Sequence, residues 1–518
     1  MSVHVHVGQC GNQLGAAYWR LAAASGELQE ENRSRHDPGV SRQLRRVAGE
    51  STAAVNGAKK TVSLSRHLFH PSTRAARCIL VDSEPKVVRS VCEAGVKGAG
   101  AFQPAHTHVE QAGRGNNWAM GYYGPRLQAP APAFTSLAVD DRRELVELVM
   151  DSLRREIETV DCYQGSVMMH SLGGGTGSGL GCRVLENMRD TYPKAYIVTA
   201  SVAPSWTRGD SPLQNYNAVL TLRCLQEIAD AVIYKDNDEL LRTANYWKAI
   251  VHERAGVGNP NQRVSLDEIN SMAASDIAGL LFPVTSGEFS TPRPFNFGQL
   301  VHDVCPMPAT KILDVRSGVW RDRGGSSARS KLPSALSVAK GLSEATLFHA
   351  PVVAQARSLS LRHEHATDSN ASLDCLEKLA QQTVGSFPRS LNAILPPTTI
   401  IRGFSPVSSE SSRFSEKLGE VVQAALPPVP WLTTPRPTIA FSGPVPFPSL
   451  QAKVSATICV NNGSFLTSTK RFVERSQRQF NANAYVHWYK QHGLEDADFE
   501  AAFDKCATLI SEYETLLK

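Results

Sequence analysis

A chain of 518 residues, 42% hydrophobic and 20% charged, is long enough for two or three domains around a large core and has the composition of an ordinary soluble globular protein. Its net charge of +5 is too small at this size to argue for nucleic acid. No uninterrupted apolar run approaches the ~20 residues of a membrane span, and Met1-Ser2-Val3-His4 lacks the basic-then-apolar start of a secretory signal, so a cytosolic protein without membrane contact is expected.

Val3-His4-Val5-His6-Val7 alternates as a strand does and feeds into a loop at Gly8, so strand, loop and helix open the protein. His4 and His6 share a strand face, but no third metal ligand accompanies them and a structural pair is the plainer reading. Residues 27–72 depart from the strand and helix alternation. Between Glu31 and Lys60 they carry Arg33, Arg35, Arg42, Arg45, Arg46, Lys59 and Lys60 against Glu31, Asp37 and Glu50. This segment reads as a basic insertion, either simply solvated or touching an acidic partner. Cys78-Ile79-Leu80-Val81 is a strand that ends on Asp82 and Glu84. At the carboxyl end of an open α/β sheet, Glu84 is placed to hold Mg2+ through water, while Asp82 doubles as a helix cap ahead of Pro85. Gln128 to Asp141, with Pro130 and Pro132 among alanines, reads as a surface insertion.

The most telling stretch is Gly173-Gly174-Gly175-Thr176-Gly177-Ser178-Gly179, between the apolar run Ser166–Met169 and a helix marked by Leu180, Val184, Leu185 and Met188. Backbone N–H groups converge where such a strand passes into a helix, and the helix dipole favours an anion there. The hydroxyls of Thr176 and Ser178 add donors. The spacing fits neither G-x-x-x-x-G-K-[ST] nor G-x-G-x-x-G, and a flexible glycine turn is the bland alternative. Farther on, Ser265-Leu266-Asp267-Glu268 is a capping box followed by Ile269, Met272, Ile277 and Leu280 on one helical face. Residues 327–397 and 405–448 hold many serines and prolines. His363-Glu364-His365 lacks helical zinc spacing and reads as loop. Phe503, Cys506, Ile510, Tyr513 and Leu517 repeat at helical spacing in a terminal helix. The ten cysteines are scattered without a C-x-x-C pair, against both a disulfide framework and a zinc site.

His170 to Gly181 resembles the glycine-rich signature of tubulins, whose loop wraps the phosphates of GTP or GDP. Gly8-Gln9-Cys10-Gly11-Asn12-Gln13, Val81-Asp82-Ser83-Glu84-Pro85-Lys86 and Gly115-Asn116-Asn117-Trp118-Ala119 are similar to other nucleotide loops of the family. Ala484-Tyr485-Val486-His487-Trp488-Tyr489 is similar to the lead into its C-terminal helices. Glu84-Pro85-Lys86-Val87-Val88, Gly121-Tyr122 with Gly124-Pro125-Arg126, and Gln214-Asn215-Tyr216-Asn217 followed by Leu220-Thr221-Leu222 lean toward the delta branch.

The resemblance implies an α/β, tubulin-like fold: a Rossmann-type GTP-binding domain with a parallel sheet over 1–264, a central helix and mixed α/β intermediate domain over 265–465, and a C-terminal helical hairpin over 466–518. It implies GTP or GDP with Mg2+ as ligands. Gln9 and Cys10 would lie near the phosphates and ribose, and Asn116 near the terminal phosphate. Ser171, Gly173, Gly174, Gly175, Thr176 and Gly177 would cradle the phosphates, Asp210 and Asn270 would address ribose and base, and Glu84 would serve the metal. Implied partners are other tubulins and microtubules, together with basal body or centriole proteins. The implied setting is the cytoskeleton of the cytoplasm, at basal bodies or centrioles.

Three positions depart from the family pattern. Set by Pro306-Met307-Pro308, the catalytic carboxylate that one subunit offers to the next falls on Gln299, which orients water but is no base. Asp303, one turn on, replaces it only in a shifted register. Ile228 and Leu266 stand where the family is expected to carry an asparagine and an aromatic ring against guanine. The terminus, Ser511 to Lys518, lacks the glutamate-rich tail that motors read electrostatically. Binding is therefore expected and hydrolysis for a neighbour doubtful. A non-hydrolysing adaptor or cap on αβ-tubulin lattices is the second reading, and a dinucleotide oxidoreductase is disfavoured by the glycine spacing.

Overall fold

The computed structural model describes residues 1–36, 67–70, 72–94, 102–124, 144–207, 209, 211–245, 263–284, 296–320, 369–387, 392–402, 411–429, 431, 437–442 and 454–518. The basic cluster Arg42, Arg45, Arg46, the insertion from Gln128 to Asp141, His363-Glu364-His365 and the candidate Asp210 lie outside the described residues.

The opening strand β1 (Ser2–Val7) is buried on both faces, as a central parallel strand must be. Val3, Val5 and Val7 face one core layer, while His4 and His6 face the other, against Tyr18 and Trp19 of α1 (Gly8–His36). The pair is thus structural: burial pushes His4 down to about 3 and His6 well below the ordinary imidazole range. No cluster of three potential metal ligands occurs among the described residues.

Parallel strands β2 (Cys78–Asp82), β3 (Thr107–Val109), β4 (Gly165–Ser171), β5 (Tyr196–Ala203) and β6 (Ala231–Asp236) add to β1 in the order β3-β2-β1-β4-β5-β6. That order is the doubly wound one, and it reverses between β1 and β4, where ligands of such sheets bind. The sheet continues through β7 (Ile312–Trp320), β10 (Val454–Val460), β8 (Thr398–Arg402) and β9 (Thr438–Ser442). There β10 runs antiparallel to both neighbours.

The strands' apolar runs need cover on both sides. On one face α1 packs against α7 (Leu266–Leu281), which starts at the anticipated capping box: Ser265 Oγ accepts from Glu268 N and Glu268 returns the bond. On the other face lie α4 (Leu145–Glu158), α5 (Gly181–Thr191) and α6 (Gln214–Ile228). Over α6 pack the C-terminal helices α11 (Leu466–Asn481), α12 (Val486–Lys490) and α13 (Asp496–Leu516). The stripe read from the sequence is the one α13 buries, with Phe503, Cys506 and Tyr513 inside and Ile510 and Leu517 half-buried against them.

Candidate functional site

At the reversal point the loops after β1 and β4 meet. Gly8 has φ +74°, open to glycine at little cost, and a Cβ there would stand 2.9 Å from Gly177 N. Asn12, fully buried, donates to Gly8 O and to Val81 O, both at 2.9 Å, and so ties the first loop to the end of β2. The glycine run leaves β4 and enters one turn of π-helix, Gly175–Leu180, before α5. Such turns store an unusual backbone course and occur often at functional sites. Ser83 Oγ and Thr176 Oγ1 pair at 2.6 Å, Ser171 Oγ accepts from Gly173 N at 3.1 Å, and Ser178 Oγ donates to Gly174 O.

Space divides the run. A Cβ on Gly175 would lie 2.6 Å from Arg114 O and 2.8 Å from Asn117 N, whereas Gly174 has nothing within 4 Å. Gly175 is therefore glycine for packing. Gly174 presents bare backbone to an opening, the feature a phosphate needs.

Residues 110–117 form the third wall. Arg114 O accepts from Asn117 N at 2.9 Å, and Gly115 and Asn116 both take the left-handed conformation, with φ +54° and +50°. Asn117 then caps α3 (Trp118–Tyr123) through Ala119 N and Met120 N. Gly113 lies beside Glu84: a Cβ there would be 2.6 Å from Glu84 Oε1.

Glu84 is exposed at the start of α2 (Pro85–Ala94), and Asp82 behind it is buried, with its carboxyl pushed up to about 6 by burial. Asp82 Oδ1 accepts from Glu84 N at 3.4 Å, so it plays the capping part and leaves Glu84 as the open carboxylate. One accessible carboxylate beside a phosphate cradle fits Mg2+, which keeps most of its waters and needs no all-protein cage.

The other expected contacts divide similarly. Gln9 is exposed on the first turn of α1. Cys10 is packed against the core, and burial pushes its thiol up to about 12, so it offers a neutral contact and no nucleophile. Asn270 is half-buried on α7, four residues from the 62% exposed Leu266, which puts the two on one helical face.

Ile228 is a correction. It ends α6 at the amino edge of the sheet, packed on the core, and its carbonyl accepts from Arg189 Nη2 at 2.8 Å. That edge is a strand's length from the glycine loops, so Ile228 has no place beside a bound base. At the carboxyl end of β6 the amide that stands half-buried is Asn237.

Gln299 also lies at the amino edge. It sits in α8 (Phe297–Val304), whose Phe297 ring stacks 6.5 Å from Tyr196, the first residue of β5. With a rise of about 3.3 Å per residue along β5, α8 is about 23 Å from the carboxyl edge. Gln299 cannot act on its own chain's loops. Its Nε2 donates to Asp303 Oδ1 at 2.7 Å, and Asp303 also meets His302 Nδ1 at 3.1 Å and Thr438 Oγ1 at 3.3 Å. The carboxylate one turn on is engaged.

Asn217 is the residue the sequence reading missed as part of the site. Fully buried on α6, it donates from Nδ2 to Asn116 O at 2.7 Å and Gly173 O at 2.8 Å. Its Oδ1 accepts from Trp118 N at 3.0 Å and Tyr489 OH at 2.7 Å. One amide thus joins two loops of the carboxyl edge to α12, which Asn117 Nδ2 also reaches, at Trp488 O, 3.0 Å. The available signal was an asparagine in the amino-terminal part of a helix whose residues Gln214 to Leu222 are all buried.

Residues 2–128 and 138–245 match the model of the Tubulin/FtsZ family, GTPase domain. The chain is also 27% identical over 512 residues to the tubulin beta-1 chain of Geotrichum candidum, covering 99% of this chain and 94% of that one. The matched GTPase domain contains every loop described at the carboxyl edge and implies guanine-nucleotide binding. With loops at the switch point, a doubly wound sheet and a match along nearly its whole length, the chain is similar to the tubulins, and its residues 2–245 to their GTPase domain.

Proposed function

We propose that this protein binds GTP or GDP with Mg2+ at the carboxyl edge of β1, β2 and β4, as a delta-like tubulin serving basal bodies or centrioles and their triplet microtubules. The observation that carries the binding reading is Gly174, open to space between glycines whose packing leaves no room. Gly173 to Gly177, Ser171 and Asn116 line the phosphate end, Gln9 and Cys10 flank it, and Glu84 holds the metal. Asp210 and Asn270 address ribose and base. The divisions at 264/265 and 465/466 belong to the same proposal, with α7 as the helix joining nucleotide and intermediate domains. Titrating GTP, GDP and ATP against purified protein tests the site: guanine nucleotides bind and ATP is weaker, and equal ATP affinity ends the guanine assignment. A tagged copy concentrates at basal bodies; uniform decoration of all microtubules ends the specialised assignment.

A second reading has its own support in α8. With Gln299 at the position of the expected catalytic acid and Asp303 bound up in three contacts, α8 offers a neighbour's nucleotide no free carboxylate. This favours a static, nucleotide-bound adaptor or cap on αβ-tubulin. Phosphate release measured alone and with αβ-tubulin separates the two; stimulated release rules out the static role.

A further inference from the structure

Arg114 is among the most deeply buried cations of the described residues, its side chain only 4% exposed, yet it is poorly matched within the protein. Its Nη2 donates to Glu110 Oε2 at 2.6 Å, while Nε and Nη1, both shielded from water, have no partner. Other buried arginines differ. Arg402 gives its guanidinium to three carbonyls, and Arg77 reaches Glu156 and Thr159. Among the described arginines, Arg114 alone has two shielded nitrogens unmet.

Its position says what would meet them. The Arg114 carbonyl and Cβ lie 2.6 and 3.0 Å from where a Cβ of Gly175 would be, and the preceding Gly113 lies against Glu84. The side chain is rooted between the glycine cradle and the candidate metal carboxylate. A guanidinium tied to Glu110 through Nη2 still has its Nε–H and Nη1–H donors to offer an anion such as phosphate. Phosphoryl-transfer proteins place such a cation where charge builds on the outermost phosphate.

We propose that Arg114 is a phosphate-contacting residue supplied in cis, which reads the terminal phosphate of a nucleoside triphosphate and so sets the preference for GTP over GDP. This rests on the nucleotide reading above. Glu110 acts through it as a positioning residue.

The test is calorimetric titration of the full chain with GTP and with GDP, each with Mg2+. Arg114→Ala is expected to lower GTP affinity at least 30-fold while changing GDP affinity less than threefold. Arg114→Lys, which keeps charge but not the guanidinium's separate donors, is expected to lose at least fivefold for GTP alone. The GTP-to-GDP ratio is the readout because a variant that folds poorly loses both affinities together; should Arg114→Ala do so, Arg114→Lys decides. Glu110→Gln is expected to bind GDP normally with a shifted ratio. An unchanged ratio in the folded Arg114 variants overturns the proposal and leaves Arg114 a packing residue. Wild-type protein that binds neither nucleotide would instead overturn the site itself.

Discussion

From β3 to β6 the strands run parallel and bring their carboxyl ends to one edge, where the chain turns on glycines and meets its polar needs with backbone and small side chains. From β7 to β9 the sheet is mixed, and buried charges do the equivalent work. Arg402, wholly buried, donates to the carbonyls of Gly279, Phe282 and Pro283 and so closes the C-terminus of α7, where a cation complements the helix dipole. Burial lowers its guanidinium to about 10, still charged at neutral pH. Lys235 at the seam pairs with Asp276 of α7 at 2.5 Å and donates to Val315 O, while Asp276 accepts from Ser317 N at 2.8 Å. One half keeps bare backbone available for a ligand. The other consumes its polar groups internally, which suits a half that braces a helix.

The largest expected break in this contrast is Arg402→Met. It strands three helix-terminal carbonyls in the core and is expected to cost about 3–5 kcal/mol, read as a lower urea midpoint with no selective change in nucleotide affinity. Next comes acid. His4, His6 and His170 lie in the parallel half, and burial lowers all three, His170 to about 4, so unfolding lets each take up a proton below about pH 6.5. Their stabilising contribution is lost as pH falls through that window. Asp82 works in the opposite sense: its raised pKa favours the protonated native state, which relieves strain on acidification through about 6. The net is a loss of about 3 kcal/mol between pH 6 and pH 5. Segment-resolved hydrogen exchange should show it first in β1 and β4; equal loosening of β8 and β10 would remove the distinction between halves.

Asn217→Ala probes the link between loops and C-terminal helices. Losing four hydrogen bonds from a buried amide is expected to cost about 2–3 kcal/mol and to weaken GTP binding in the variant that remains folded. The smallest stability effect is the sharpest functional one. Gly174→Ala is expected to leave the melting temperature within the range of a change of about 0.5 kcal/mol, yet to weaken nucleotide binding at least tenfold. Gly175→Ala should destabilise outright, because its Cβ meets backbone at 2.6 Å. Normal nucleotide affinity in Gly174→Ala would show that the opening is not the phosphate seat.

Much of the parallel half was legible in residue order, because its features are local. Alternating valines make a strand, a glycine run before an amphipathic stretch makes a tight strand-to-helix turn, and Ser265 with Glu268 closes a four-residue capping box. The same locality misled at Ile228. A linear match cannot tell which end of a sheet a helix terminus reaches, and α6 carries Ile228 to the amino edge.

The chain by itself carried the strand and helix alternation and the places where backbone must be bare, since these follow from periodicity and from what a side chain would obstruct, and its ordered motifs carried the resemblance to tubulins. Only the tertiary structure decided that Gly174 is open while Gly175 is packed, that Asn217 gathers two loops and a helix 272 residues away at Tyr489, and that Arg114 is buried with two of its three guanidinium nitrogens unmet. Those outcomes depend on which distant atoms fill the space around a residue, and that is set by the register of packed layers rather than by neighbours along the chain.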